Sequence, residues 1–376
     1  MIRSTLLTAL AILALCQSAY SQSFSERIES LRLRGGHLPG AFLHNQQASG
    51  LIWYFSTIGV HAVALDGKHD RSVQDYLDRY LATATRPGGA INDVQNLIAD
   101  KIEWKLSDSD DSYASGLLSL ACWYSRRKEG TAWFKANLKQ LKFIATANLV
   151  DAIDPKHNLS RTFNGTKSRF TDPLIVGVWN NEHDKDQEAK TNYRDVCQLM
   201  DNCEAYRGLK DFADRLVELY DADAETYADA SKIVSKGILA MFEPKTQSFR
   251  VSTVPSGSIA FYPHRLIQVA PEVYGVDLGP DTQVIYEHAW RYLSAGGDRW
   301  WQGEIKDGSN DGTPMMILAF AAMRHGETQM ATDHLNYYRK MLARRTSRPE
   351  MGNIEELGWA LRASEMQSPS RQARQE

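Results

Sequence analysis

Asp108, Asp110 and Asp111 stand within four positions of one another, followed by Ser112-Tyr113-Ala114 and a mostly apolar run. Carboxyl groups this close cannot all ionise with equal ease, so one tends to keep its proton while another stays charged. Such a pair can do general acid–base work, and neighbouring hydroxyls and aromatic rings can hold what is worked on. Similar sets recur along the chain. Asp201 and Glu204 surround Asn202 and precede Tyr206, Asp307 and Asp311 follow Trp300-Trp301, and Glu355-Glu356 follows Asn353. Two further stretches carry chemistry-bearing groups: Tyr262-Pro263-His264-Arg265, and 179–184 with Trp179, Asn180, Glu182, His183 and Asp184. The second reads as a solvated turn rather than a metal site, because no second histidine sits at helical ligand spacing.

Each acid set falls where an apolar helical period begins. Ser107 and Asp108 read as N-caps, with Asp110 and Asp111 in a first turn where the helix dipole favours them. Apolar, inward-reading segments span 44–65, 110–126, 202–219, 258–269, 311–323 and 353–363. Amphipathic segments at 24–33, 69–85, 130–149, 224–241, 280–293 and 327–342 alternate with them. Val73, Tyr76, Leu77, Tyr80 and Leu81, for instance, make one stripe of a half-exposed helix. Helices joined by short loops pack antiparallel, so the alternation predicts six pairs and an all-α (α/α)6 barrel. A solenoid would show a fixed-period repeat, which is lacking. Inner helices of such a barrel run the same way, so their polar N-termini meet at one mouth. The long irregular stretch 151–195 is expected to cover it.

Bulk properties narrow the classes. The 376 residues carry 43 Lys and Arg against 46 Asp and Glu, a net charge of -3 that argues against nucleic acid or an anionic membrane as partner. Residues 1–21, with Arg3, a short apolar run and Ala-x-Ser spacing, read as a secretory signal peptide cut before Gln22. Leu15 stands where a lipoprotein signal wants a small residue. An exported, monomeric protein is expected, with one domain over 22–366 and a polar tail over 367–376. Cys197 and Cys203 are close enough in sequence to pair in an oxidising compartment, whereas Cys122 reads as core, with Trp53, Trp123, Trp133 and Trp359. No phosphate loop, zinc-spaced cysteines or Gly-x-Ser-x-Gly elbow is present, and nothing calls for a metal or cofactor.

Helix capping explains one or two carboxylates per helix but not the aromatics beside them: Trp104, Tyr113, Trp179, Tyr206, Phe261, Tyr262, Trp300 and Trp301. Acids interleaved with such rings suit a sugar, whose apolar faces stack and whose hydroxyls bridge to polar side chains. Glycoside hydrolysis needs two carboxyls, one protonated and one ionised. The helix pattern and the stretch Asp111-Ser112-Tyr113-Ala114 resemble the six-hairpin glycosidase superfamily, nearest to family 8 glycoside hydrolases and their relatives. Those enzymes place a catalytic Glu in Ser-Glu-Gly-Gln-Ser-Tyr-Gly at an inner helix start. Laying Ser112-Tyr113 on that Ser-Tyr puts Ser109 at the acid's position, with Asp108 and Asp110 flanking it and Asp111 replacing the glutamine. The resemblance implies a polysaccharide-cleaving barrel in which a neighbouring aspartate holds the acid's role or the chemistry has moved.

The sequence therefore nominates Asp110 or Asp108 as one carboxylate, Glu204 as the second, Asp311 to orient sugar or water, and Asp111 as a further candidate. Trp104, Tyr113, Trp179, Asn180, Asp201, Tyr206, Tyr262, His264, Arg265, Trp300 and Trp301 are the candidate substrate contacts. Two other readings stay open. One is β-elimination on a uronic-acid polymer, with Tyr262 or His264 as base and Arg265 neutralising the sugar carboxylate. The other is a non-catalytic glycan-binding protein of an export system.

Overall fold

The structure is a computed structural model that describes residues 23–98, 101–163, 196–254, 261–295, 314–343 and 352–367. The expected signal peptide, the tail beyond Gln367, Trp179, Asn180, His183, Trp300, Trp301, Asp307 and Asp311 lie outside those residues.

The fold is the all-α (α/α)6 barrel. Its outer helices are α1 (Phe24–Glu29), α3 (Asp70–Thr83), α5 (Gly130–Ala145), α7 (Ala224–Met241), α9 (Thr282–Ser294) and α11 (Thr328–Ala343). Its inner helices are α2 (Trp53–Asp66), α4 (Asp111–Tyr124), α6 (Leu199–Glu218), α8 (Ala270–Val273), α10 (Ile317–His325) and α12 (Ile354–Met366). Packing closes the inner ring: α2 lies on α4, α4 on α6, α6 on α8, α8 on α10, α10 on α12, and α12 back on α2. The ring order sets α12 opposite α6. Outer helices follow their amphipathic stripes. In α3 the five predicted residues, Val73, Tyr76, Leu77, Tyr80 and Leu81, are all buried.

Close approach of the inner helices depends on small residues. A Cβ on Gly208 of α6 would stand 2.7 Å from Ser115 Cα of α4, and one on Gly358 of α12 would stand 2.9 Å from Gly59 Cα of α2. Backbones this near leave room for the barrel axis to be lined by the longer side chains of the same helices.

Several expected boundaries move. The first inner helix begins at Trp53 rather than His44, because Leu51 bridges to Val94 and draws 44–52 into a loop. A hairpin of β1 (Asp93–Ile98) and β2 (Lys101–Lys105) fills the approach to α4, where the periodicity predicts no strand. Ser107 and Asp108 stop short of the helix whose sequence they resemble caps for. Asp110 takes the N-cap position, and its side chain makes no capping bond. The fourth inner element is irregular: a π-turn over Phe261–Arg265 and a 3-10 turn over Leu266–Val269 lead into α8, with Tyr262 out of helical geometry. Cys197 and Cys203 are free, buried thiols, as is Cys122. Cys197 instead points its thiol at the Leu159 carbonyl oxygen, 3.8 Å away.

Candidate active site

Side chains from the first turns of four inner elements converge. Asp111 is the first residue of α4, Asp201 and Glu204 lie in the first two turns of α6, Tyr54 is second in α2, and Glu355 is second in α12. The Tyr54 hydroxyl reaches from α2 to Glu204 of α6 at 2.6 Å, and Asp111 and Glu355 lie within electrostatic reach of Glu204, so these N-termini share one mouth.

Glu204 forms the floor. It is 5% exposed, and its Oε1 accepts the hydroxyls of Tyr54 and Tyr274, each at 2.6 Å. Oε2 is buried and has no hydrogen-bond partner. Burial first, and the charge of Asp201 second, push the Glu204 carboxyl up to about 8, against the two tyrosine bonds and the nearby Ser112 hydroxyl. With Oε1 taken by two donors, a proton on this acid belongs on Oε2. Asp111 is fully buried beside it. Its Oδ1 accepts the Ser112 N–H at 2.9 Å while Oδ2 has no hydrogen-bond partner. Burial, then Asp201, raise its pKa well above the usual carboxylate range.

Asp201 and Glu355 are the half-buried acids of the cluster, so they stand nearer solvent. Thr162 Oγ1 donates to Asp201 Oδ2 at 3.3 Å. Burial lifts Asp201 to about 6, and the hydroxyls of Ser112 and Thr162 oppose the lift. Glu355 is raised well above its usual range by burial, then by Glu356 and by Glu204. Its neighbour Glu356 serves the fold instead, since Glu356 Oε2 accepts the Met316 N–H at 2.5 Å and ties down the start of α10. Because α6 and α12 are opposite in the ring, Asp201 and Glu355 address the mouth from opposite sides. Tyr262, 51% exposed, is within electrostatic reach of Asp201, Glu355, Glu204 and Asp108.

Behind this cluster Asp93 repeats the theme. It is fully buried, accepts the Trp53 N–H at 3.0 Å and the Tyr113 hydroxyl at 2.7 Å, and lies 3.9 Å from Lys105 Nζ. The Trp53 N–H is one of the donors that the start of α2 cannot satisfy within the helix, so a strand residue supplies the cap. Burial raises Asp93 to about 7 despite those bonds.

The sequence candidates divide. Asp111, Asp201, Glu204 and Tyr262 meet at the mouth. Asp108 is exposed and acts on Asp201 and Tyr262 through its charge, and Asp110 is buried at the N-cap, its N–H donating to Thr162 O at 2.8 Å. Tyr113 is a buried wall residue, stacked on Tyr54 at 5.9 Å and bonded to Asp93. Tyr206 is buried, with its hydroxyl accepting the Asp277 N–H at 3.3 Å, and Phe261 is buried as well. Trp104 packs half-buried on β2. Arg265 is engaged by Tyr292: it donates to that residue's carbonyl oxygen at 3.1 Å and lies over its ring at 5.5 Å. His264 is half-buried, its carbonyl accepting from Gln268. Sequence reasoning passed over Tyr54, Tyr274, Asp93 and the role of Glu355. Glu355 had a signal, an acid in the first turn of an inner helix. The tyrosines had none, since each lies in an apolar or irregular stretch.

No family model matches the chain, and no curated protein matches its sequence. Solved structures do. A GH63 mannosylglycerate hydrolase from Thermus thermophilus, in complex with glucose, matches with a TM-score of 0.56 at 13% identity, over 90% of this chain and 98% of that one. A β-1,3-1,4-glucanase from Paenibacillus sp.X4 matches at 0.55 and 14% identity, over 93% of this chain and 92% of its own. A rhamnosidase from Klebsiella oxytoca with rhamnose bound matches at 0.57 and 10% identity, over 91% of this chain and 63% of its own. At such identities the likeness is one of fold, and these structures do not single out family 8. No helix among the described residues is long and apolar enough to cross a membrane.

Proposed function

We propose that this protein is an exported glycoside hydrolase that degrades a polysaccharide with a carboxyl pair at the barrel mouth. The observation that carries the reading is the division of the acids into accessible and sequestered members. Asp201 and Glu355 are half-buried and stand on opposite inner helices, whereas Glu204 and Asp111 are buried behind them. Two carboxyls that flank a bond from opposite sides, one protonated and one ionised, are what hydrolysis of a glycosidic bond requires. Glu355 is the group pushed further toward its neutral form and serves as proton donor. Asp201, near 6, is ionised around neutrality and serves as base or nucleophile. Glu204 and Asp111 act through the field. They stand behind Asp201 and Glu355 in a water-poor site where like charges repel strongly. Fold neighbours that include a glucanase, a rhamnosidase and a mannosylglycerate hydrolase support a sugar substrate.

The lyase alternative fares worse on this geometry. Elimination from a uronate needs a cation for the sugar carboxylate and a base that ionises readily. Arg265 is turned onto Tyr292, and Tyr262 faces acids, so burial and then those charges raise its pKa.

The test is to incubate the mature protein with neutral and uronic-acid polysaccharides, following new reducing ends and the ultraviolet absorbance of unsaturated uronates together. Reducing ends without absorbance, with turnover cut about 100- to 10,000-fold in Asp201→Asn and in Glu355→Gln, is the expected result. Absorbance that rises with the reducing ends and survives both changes would replace hydrolysis by elimination. Binding without either signal would make the protein a glycan-binding one.

A further inference from the structure

The barrel interior changes sign along its axis. One face of α12 carries Glu355 at the mouth and Arg362 two turns on. On α6 Glu204 is followed by Arg207, and on α2 Tyr54 is followed by His61. At seven- and three-residue spacing each pair shares a helix face, so the second members form a deeper layer. Arg324, in the last turn of α10, joins them.

Three guanidinium groups thus meet away from the mouth with little to neutralise them. Arg207 is held by Asp211, with contacts of 2.7 and 2.9 Å, and that carboxylate also accepts the Ser119 hydroxyl at 2.8 Å. Arg324 is exposed and makes no hydrogen bond or ion pair among the described residues. Arg362 rests over the rings of Phe320 at 4.6 Å and Trp359 at 4.7 Å, and its Nε is buried with no hydrogen-bond partner. Arg207 and Arg324 approach one point: a Cβ on Gly275 would stand 4.0 Å from Arg207 Nη1 and 3.5 Å from Arg324 Nη2. Among the described residues the carboxylate acting on Arg324 is Glu272, which is itself tied to His325 at 3.0 Å. The C-terminal dipoles of α10 and α12 offset part of this charge, about half a unit each, and leave the rest.

We infer that this end of the barrel is a binding site for a small oxyanion of the phosphate type, held between the guanidinium groups of Arg324, Arg207 and Arg362. The guanidinium fork matches the oxygens of such an anion, and among the described residues two of the three forks have no paired carboxylate. Burial, with Arg207 and Arg324 nearby, lowers Arg362 to about 10, the direction expected of a cation in need of an anion. An occupant would bridge α6, α10 and α12 and so stabilise the ring. The site lies one to two helical turns below the acid mouth, and its test does not depend on catalysis.

The probe is inorganic phosphate, titrated into the full mature chain at ionic strength held constant with sodium chloride. Thermal unfolding and isothermal calorimetry are the readouts. A saturable rise in Tm of a few degrees, with measurable heat, is expected. Arg324→Ala, at an exposed position, should fold normally and weaken phosphate binding at least tenfold. Arg71→Ala, a surface guanidinium on α3, should bind as the parent does. No saturable response, an unchanged affinity in Arg324→Ala, or an equal loss in Arg71→Ala would each overturn the assignment.

Discussion

The two ends of the barrel are built on the same helices and solve opposite electrostatic problems. At and behind the mouth the acids are buried or half-buried, close together and interlocked with hydrogen-bond donors: Glu204 takes two tyrosines, Asp93 takes a tyrosine and a backbone amide, and Asp201 takes a threonine. One layer deeper, Arg362 lays its guanidinium head over the rings of Phe320 and Trp359, Arg207 is paired with Asp211, and Arg324 reaches solvent. The difference follows from side-chain chemistry. A carboxyl can shed its charge by taking a proton, so burying several is tolerable. A guanidinium cannot, and stays soluble only by reaching solvent or an anion.

The sharpest way to break this comparison is pH. Glu204 near 8, Asp93 near 7 and Asp201 near 6 all hold protons in the fold that the unfolded chain would release. A carboxyl whose folded pKa is raised favours the native state while it stays protonated, and that advantage fades as pH climbs through the folded value. Stability should therefore fall from pH 5 to pH 8, each group giving up about 1.4 kcal/mol for every tenfold difference in proton affinity between the folded and unfolded chain. Glu204→Gln keeps an acceptor for Tyr54 and Tyr274 but has no proton to lose, so its profile should fall less steeply than the parent's, most visibly between pH 7 and 8, above the value of Asp93. Denaturant unfolding across that range checks both; equal slopes for parent and variant would mean that the floor is not charged by rising pH. The arginine end should contribute nothing to this profile.

A second probe removes one acid whose role is to join elements. Asp93→Ala leaves the Trp53 N–H and the Tyr113 hydroxyl buried without partners, and a cost of about 2–5 kcal/mol follows. Urea unfolding measures it. A cost under about 1 kcal/mol would show that water or a shift of β1 replaces the carboxylate.

How much of this was legible beforehand depends on the period of the signal. The inner and outer alternation is a long-range pattern of apolar residues, and the stripe Val73, Tyr76, Leu77, Tyr80, Leu81 came through unaltered because a helix face either is or is not apolar. The acid mouth was legible for the same reason: in parallel inner helices, first-turn acids must meet. Which acid matters was not. Asp108 and Asp110 look as able as Asp111, yet one falls outside the helix and another takes the N-cap, an outcome set by where Thr162 and the 93–105 hairpin press on the chain. The hairpin itself was missed because its strands alternate weakly, and the tyrosines that hold Glu204 arrive from 150 and 70 positions away. Such partners leave no mark in local spacing.

The smallest expected effect closes the comparison from the basic side. Arg362→Leu removes a charge that has no ion-pair partner among the described residues and leaves apolar bulk between Phe320 and Trp359. The lost cation–π attraction, about 0.5–2 kcal/mol, is set against relief of repulsion from Arg207 and Arg324 and of the cost of burying a guanidinium. In phosphate-free buffer the variant should unfold within about 1 kcal/mol of the parent, and the effect should not vary between pH 5 and 8. A loss of several kcal/mol would mean that this arginine has an anion partner within the fold itself, and the two ends of the barrel would then be built alike. A near-neutral change leaves them as opposites: an acid end stabilised by what it already binds, and a basic end whose charge is left for something else to meet.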